Sequence, residues 1–294
     1  MTEGFLLADP PVASLDDFLA RGGCVGLTRA GELDPDQIVQ EVNLAGLRGR
    51  GGAGFRCGVK WTSVQRGGER DHYVVCNAAE GEPATFKDRA LLRANPYQVV
   101  EGLVDRRARR RRGLPGREGQ FRAGAPRLSR AVDEMAAAGL LAGLSLRVVT
   151  GPEEYLFGEE KALLEVIEGN DPLPRWMPPY LHGLFATAPQ LAWESHGLEA
   201  GHHGEHDSNP TLVNNAETLA NVPHILANGA EWFRSMGTAE SPGTVICTVV
   251  GDVERPASSR SRWVPRCATC LSVAVRPARV GRCAACSPGS PIRC

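Results

Sequence analysis

The chain has 294 residues, 42% of them hydrophobic, and a formal net charge of −1. This balance is typical of a soluble globular protein and excludes a globally basic nucleic-acid-binding protein and an acidic disordered chain. No apolar run is long enough for a membrane-spanning helix, and no basic region precedes an apolar one at the amino terminus. With nine cysteines, an odd number, we expect a cytoplasmic protein in a reducing compartment.

The predicted elements alternate between helices and strands, which indicates an α/β protein. Helical periodicity covers residues 35–47, 59–64, 89–104, 131–144 and 214–229, and a loop and a helix share residues 151–169. Residues 72–76, 146–150 and 243–253 have the composition of strands. A long connection containing prolines and histidines covers residues 170–210.

Two segments, residues 105–130 and 257–294, depart from this pattern. The first contains ten arginines without a helical or strand period, and the second is rich in Arg, Pro and Cys. Arginine supplies 30 of the 33 basic residues, which indicates a GC-rich coding sequence. Because a shifted reading frame in such a gene yields segments of this kind, we interpret both as possible frame-shift products. We expect 105–130 to be irregular and solvent-exposed.

Two CxxC pairs in the second segment have the spacing of a zinc ribbon. Their candidate ligands are Cys267, Cys270, Cys283 and Cys286. A frame-shifted tail without metal is the favoured alternative. Four histidines between positions 196 and 206 are a further metal-binding candidate, for which a solvated polar insertion is the favoured alternative.

A glycine-dense loop follows the first predicted helix, in the sequence GLRGRGGAGFRCGVKW at residues 46–61. Closely spaced glycines let backbone N–H groups approach an anion, and Arg48, Arg50 and Lys60 add positive charge. The loop is therefore predicted to hold a phosphate or a flat cofactor, with a flexible surface loop as the alternative.

Two polar segments are further candidates for ligand contacts. Residues 77–82 follow a predicted buried strand, where α/β proteins bind ligands; their amide and carboxylates suit a ring and ribose hydroxyls. A solvated turn is the alternative. Tyr155, Gly158, Glu159 and Glu160 open a helix, and the two acids there also suit the helix dipole alone.

Four ordered motifs across residues 46–223 together resemble one family. They are GLRGRGGAGF with KW, CNAxE with EP and KDR, YxxGEExAL, and NNxETLxNVP. They are similar to the flavin- and NADH-binding subunit of respiratory complex I, which in bacteria is the F subunit of NADH-quinone oxidoreductase. The diaphorase subunits of NAD-linked hydrogenases and formate dehydrogenases share the motifs.

The resemblance implies a fold and a domain order. Residues 1–242 would form a Rossmann-like flavin- and NADH-binding domain with a parallel sheet. Residues 243–256 would be the first strand of a truncated ubiquitin-like β domain, and residues 257–294 an aberrant tail. The helical domain that carries the family's [4Fe–4S] ligands is not recognisable in this sequence.

The resemblance also implies an activity. Family members transfer hydride from NADH to FMN and pass electrons through iron–sulfur clusters to quinone or another acceptor. A thioredoxin-like [2Fe–2S] subunit and other subunits of a complex I-like or diaphorase assembly would be partners, in the cytoplasm or on the inner membrane face. The alternatives are a degenerate product that binds FMN weakly or not at all, and a zinc-ribbon interaction protein.

The resemblance assigns site residues one by one. Those that would contact FMN are Gly49, Gly52, Lys60, Asn77, Tyr155, Gly158, Glu159, Asn214, Asn215 and Thr218. Those that would contact NADH are Phe55, Glu82 and Glu160. The chain departs from the family at Ala79, where Asp is common, and at Phe157, where Cys is frequent.

Overall fold

The computed structural model describes residues 5–66, 72–104, 125–141, 144–186, 209–249 and 257–262. Its helices are α1 Leu15–Ala20, α2 Val25–Glu32, α3 Pro35–Ala45, α4 Cys57–Gln65, α5 Lys87–Ala94, α6 Pro96–Leu103, α7 Ala125–Ala137, α8 Glu160–Glu168, α9 Ala216–Asn228 and α10 Ala230–Arg234, and Tyr155–Gly158 is a 3₁₀ turn. Its strands are β1 Tyr73–Asn77, β2 Thr211–Asn215, β3 Thr244–Val249 and β4 Ala257–Arg262. None of the helices in these ranges is long and apolar enough to cross a membrane.

Strands β1 and β2 form a parallel pair, in register from Tyr73 opposite Thr211 to Asn77 opposite Asn215. A parallel pair flanked by helices confirms the predicted α/β class. Strand β2 was not predicted, since residues 214 and 215 were placed in a helix. The short apolar run of β2 ends at Asn215, whose side chain accepts a hydrogen bond from the Glu217 amide and caps α9.

Helix α9 is the central helix, and most of its residues are buried. It packs against α6 and α2 at two glycines. A Cβ on Gly102 would lie 2.2 Å from the Leu219 carbonyl oxygen, and one on Gly26 would lie 2.3 Å from that of Pro223. These helices therefore meet backbone to backbone, closer than any side chain allows.

Helices α1, α2, α6 and α7 enclose an apolar cluster on the side of the molecule that we call the helical side. Its fully buried members include Tyr97 and Met135. Two carboxylates serve this side. Glu101 accepts hydrogen bonds from the backbone of Cys24 and Leu27 at the start of α2, and Glu134 accepts one from Tyr97.

One predicted helix and one predicted strand differ from the structure. The helix predicted over residues 89–104 is two helices, because Pro96 lacks an N–H group and Asn95 is extended and caps α6. The segment predicted as a strand over 146–150 has no regular structure. The side chains of Leu146 and Val148 pack against the apolar cluster of the helical side, but no strand among the described residues pairs with this segment.

Residues 105–124 lie outside the described residues. Residues 125–130 contradict the predicted irregular structure, although Arg127 and Arg130 are exposed as expected. Residues 125–130 form the first turns of α7. Leu128 and Ala131 pack toward the helical side, while Arg127 and Arg130 reach outward to the backbone carbonyls of Arg93 and Ala13. Helical spacing of small and apolar residues thus decides the structure despite the arginines.

Strand β3 confirms the strand predicted over 243–253 from Thr244 to Val249, and residues 250–253 lie outside the described residues. It pairs antiparallel with β4, from Thr244 opposite Arg262 to Val249 opposite Ala257. Strand β4 therefore lies within the segment assigned to the tail. Residues 263–294 are outside the described residues.

Candidate functional site

The candidate site lies at the carboxyl ends of β1 and β2, the edge of a parallel sheet where ligands bind in α/β proteins. Asn77 is the last residue of β1, and its side-chain Nδ2 donates a hydrogen bond to the Gly158 carbonyl at 2.8 Å. Its Oδ1 accepts from the Ala79 amide at 3.1 Å. Asn77 thus holds the polar loop of residues 77–82 beside the 3₁₀ turn of residues 155–158.

The glycine-dense loop arches over the end of β2. A bridge between Arg48 and Arg56 closes its base, and a Cβ on Gly51 would lie 3.5 Å from the Cβ of Asn215. Gly52 and Gly54 have φ values of +122° and +63°, with open space where a Cβ would stand. This side of the loop therefore faces outward without side chains.

The backbone N–H groups at the tip of the loop are available to a ligand. The described residues provide no hydrogen-bond partner for the amides of Gly51, Gly52 and Ala53. Successive unpaired N–H groups in a glycine turn form a concave anion-binding site. The loop therefore offers the donors that a phosphate- or cofactor-binding loop requires, and its binding role stays a prediction.

Arg50 does not serve this loop as the sequence suggested. Its guanidinium is buried and donates to the carbonyl of Thr244 at 3.0 Å through Nε and to that of Arg48 at 2.6 Å through Nη1. Burial lowers the pKa of Arg50 to about 10. Arg50 therefore keeps its positive charge near the loop, but its guanidinium is bound to backbone carbonyls and supports the loop from beneath.

The predicted NADH-contacting residues lie on the outer side of the site. Glu160 at the start of α8 forms an ion pair with Lys60 of α4. Glu82 accepts a hydrogen bond from the Tyr155 hydroxyl at 2.8 Å. Phe55, on the glycine loop, is 57% exposed. Two carboxylates and an exposed ring can thus meet hydroxyl groups and a flat ring.

A buried charge cluster lies beneath the site, formed by Arg50, Lys87, Asp88 and Glu217. Lys87 Nζ lies 2.8 Å from Asp88 Oδ1 and 3.3 Å from Glu217 Oε2. It also donates to Asn215 Oδ1 at 2.9 Å. The Asn215 side chain therefore binds inward to the cluster.

The environment of Glu217 shows how the cluster is balanced. Glu217 is fully buried, and burial raises its pKa, opposed by the positive charges of Lys87 and Arg50. Burial lowers the pKa of Lys87, but Asp88 and Glu217 outweigh it, so the net direction is upward. Two cations thus compensate two carboxylates away from water.

Sequence reasoning missed the role of this cluster. A signal was present, because Glu217 is the only charged residue between positions 209 and 229. A single acid in an apolar segment has to be paired when it is buried. Its partners could not be read from the sequence, because they lie in other elements.

Other predicted site residues have structural partners. Glu159 caps α8 by accepting hydrogen bonds from the amides of Lys161 and Ala162. With its amide oxygen turned toward Trp61, Asn214 accepts a hydrogen bond from the indole Nε1 at 2.8 Å. The Thr218 hydroxyl accepts from the Arg50 amide at 2.8 Å and so anchors the glycine loop to α9.

The two departures from the family pattern have different surroundings. Phe157 is buried among Leu163, Leu164 and Val213, so the ring fills the core. Ala79 lies beside the 3₁₀ turn, where a Cβ on Gly158 would lie 3.3 Å from its carbonyl oxygen. No carboxylate is present at that position.

The metal-binding candidates are not described by the structure. The four cysteines at 267–286 and the histidines between 196 and 206 lie outside the described residues. Within the described ranges, no three His, Cys, Asp or Glu side chains form a group that could hold a metal ion.

Comparisons with known proteins show the family to which the chain belongs. Residues 42–224 match the family model described as the Nuo51 FMN-binding domain. The chain is 38% identical over 255 residues to the F subunit of NADH-quinone oxidoreductase from Streptomyces coelicolor, covering 83% of this chain and 52% of that protein. It is 36% identical over 242 residues to the alpha subunit of the NAD-reducing hydrogenase HoxS of Cupriavidus necator, covering 79% and 37%.

A solved structure has the same fold. The crystal structure of NAD⁺-reducing [NiFe]-hydrogenase in the H₂-reduced state is similar with a TM-score of 0.66 and 34% identity. The similarity covers 85% of this chain and 40% of that one, and it confirms the predicted Rossmann-like fold. The chain spans about half the length of its relative from Streptomyces coelicolor.

Proposed function

Because the chain belongs to the Nuo51 FMN-binding domain family, we propose that it binds FMN and NADH at the carboxyl edge of β1 and β2. The proposed reaction is hydride transfer from NADH to FMN. The relatives from NADH-quinone oxidoreductase and NAD-reducing hydrogenase support this activity through their names.

The glycine loop is the observation that carries the proposal. The residues Gly51, Gly52 and Ala53 are exposed, and their amides have no hydrogen-bond partner in the part of the chain that the structure describes. Such donors suit the phosphate or ring oxygens of FMN. A Cβ at Gly52 would occupy the space on this side of the loop.

When bound, FMN supplies the hydride acceptor. The chain's own residues bind and orient the two ligands. Lys60 and Asn77 are assigned to FMN. Glu82 and Glu160 would accept hydrogen bonds from ribose hydroxyls of NADH, and Phe55 would pack on its rings.

The wider setting is part of the proposal. We infer that the chain passes electrons to an iron–sulfur subunit of a complex I-like or diaphorase assembly. Its place would be the cytoplasm or the inner face of the membrane. We also propose that β3 begins a second domain of ubiquitin-like type.

Flavin binding by a glycine variant tests the function. We expect the purified chain to retain FMN, identified by mass spectrometry, and NADH to bleach the flavin absorbance. Gly52→Ala should weaken FMN binding about tenfold or more, because its side chain enters the ligand space. The dissociation constant is measured by quenching of flavin fluorescence.

The matched control is Gly169→Ala, at the end of α8. Gly169 also has a positive φ, of +94°, with open space around the added Cβ. It should leave the FMN dissociation constant unchanged. Release of FAD as the main cofactor, or equal FMN binding by both variants, contradicts the proposal.

A further inference from the structure

We propose that Glu217 is a positioning residue that fixes the glycine loop against β2 and β3 through the buried charge cluster. The effect on flavin rests on the proposed function, whereas the effect on the loop does not. Glu217 is fully buried beneath the site, so it acts through its neighbours.

The first step links Glu217 to β3. Its Oε1 accepts a hydrogen bond from the Ile246 amide at 2.8 Å. Two residues earlier, the carbonyl of Thr244 accepts from Arg50 Nε. In β3, Ile246 therefore binds the carboxylate of α9 and Thr244 binds the guanidinium of the glycine loop. The opposite charges of these two groups attract each other.

The second step links Glu217 to Asn215 through Lys87. Lys87 Nζ lies between the Glu217 and Asp88 carboxylates and donates to Asn215 Oδ1. On the other side, Asn215 Nδ2 donates to Asp88 Oδ2 at 2.8 Å. The amide of Asn215 is thus held at both ends by opposite charges, which allows one orientation only.

The third step links Asn215 to the loop. A Cβ added at Gly51 would lie 3.5 Å from the Asn215 Cβ, so the loop passes close to the Asn215 side chain. Beside it, the Arg50 amide is fixed by the Thr218 hydroxyl. The loop therefore rests on a side chain whose orientation depends on the charge of Glu217.

Glu217→Gln removes this charge and keeps a hydrogen-bond acceptor for Ile246. The matched control is Glu101→Gln on the helical side. Glu101 is likewise buried and accepts backbone hydrogen bonds from Leu27 and Cys24, but it touches neither the loop nor the charge cluster. Both variants are compared with the full parent chain at equal distance below their melting temperatures.

Two measurements are made. Hydrogen–deuterium exchange in the flavin-free protein should be about tenfold faster at the hydrogen-bonded loop amides of Gly49, Arg50 and Cys57 in Glu217→Gln and unchanged there in Glu101→Gln. The FMN dissociation constant should rise about tenfold in Glu217→Gln only.

The outcomes separate the two proposals. Unchanged exchange of the loop in Glu217→Gln overturns the positioning role, as does equal acceleration in Glu101→Gln. If the parent chain binds no FMN, the proposed function fails while the exchange data still decide the role of Glu217. Faster exchange with unaltered FMN affinity overturns the link between loop position and flavin.

Discussion

The region around the carboxyl ends of β1 and β2, which we call the site edge, and the helical side each bury a glutamate, but they stabilise it differently. Glu101 accepts hydrogen bonds from backbone amides at the start of α2. Glu217 pairs with Lys87 and faces Arg50, which come from other elements. Burial raises the pKa of both carboxyl groups.

The difference shows what each solution contributes. Glu101 is stabilised by backbone amides at the start of α2, which are rigid and close to it. This interaction therefore connects only α2 and α6. Charges on long side chains bring together the glycine loop, α5, α9 and β3 at Glu217. The helical side is therefore held by close backbone packing, and the site edge by charge balance.

Removing the cation of the site edge is expected to have the largest effect. Lys87→Met leaves Asp88 and Glu217 buried without their main compensating charge. Breaking a buried pair from one side destabilises by about 3–5 kcal/mol. The free energy of unfolding in urea measures the loss.

Lys161→Met is the control for this change. Lys161, in the first turn of α8, is partly exposed, and its side chain forms no ion pair with the described residues. Its replacement should alter stability by less than about 0.5 kcal/mol. A similar loss of unfolding free energy in both variants would show that the buried cation contributes no more to stability than a surface lysine does.

Close packing on the helical side is tested at Gly102. The methyl group of Gly102→Ala would meet the Leu219 carbonyl oxygen at 2.2 Å, and backbone cannot turn away as a side chain can. We expect a loss of about 2–3 kcal/mol, measured by thermal unfolding. Gly169→Ala, which meets no atom, should lose only the roughly 1 kcal/mol cost of a left-handed alanine. Equal losses would mean that the helices can separate freely.

Acid titration gives the smallest effect. The hydrogen bond from Tyr97 lowers the pKa of Glu134, so its contribution is present above pH 4.5 and is lost as the pH falls through the lowered value. Glu134→Gln should cost about 1 kcal/mol at pH 7. The difference from the parent should shrink below about pH 4.5. If the difference in unfolding free energy between Glu134→Gln and the parent did not change with pH, the hydrogen bond from Tyr97 to an ionised Glu134 would be excluded as its cause.

The sequence predicted local features well. Pattern and composition located α3, α4, β1 and β3, and the family resemblance assigned the glycine loop and the polar segments to the same ligands. The register of Asn77 opposite Asn215 now shows why these motifs meet. Strand β2 was missed because five residues between Pro210 and a helix cap carry little periodic signal.

The partners of buried charges could not be predicted. Arg50 reads as a cation of an anion-binding loop, but its guanidinium turns to Thr244, 194 residues away. Residues 125–130 were misassigned because composition outweighed a helical spacing of Leu128, Ala131 and Met135. Long-range pairing decides the case of Arg50 and is not encoded locally in the sequence, whereas the helix at residues 125–130 follows from a local spacing that the arginines obscured.

The attachment of β3 to the site has a consequence for the order of folding. The bond from Arg50 to Thr244 closes a very long loop of chain, and loop closure of this length is slow and comes after local helices form. During synthesis, the ribosome must deliver β3 before the glycine loop gains its support. Flavin capture is therefore expected to be a late event, following translation of nearly the whole flavin-binding region.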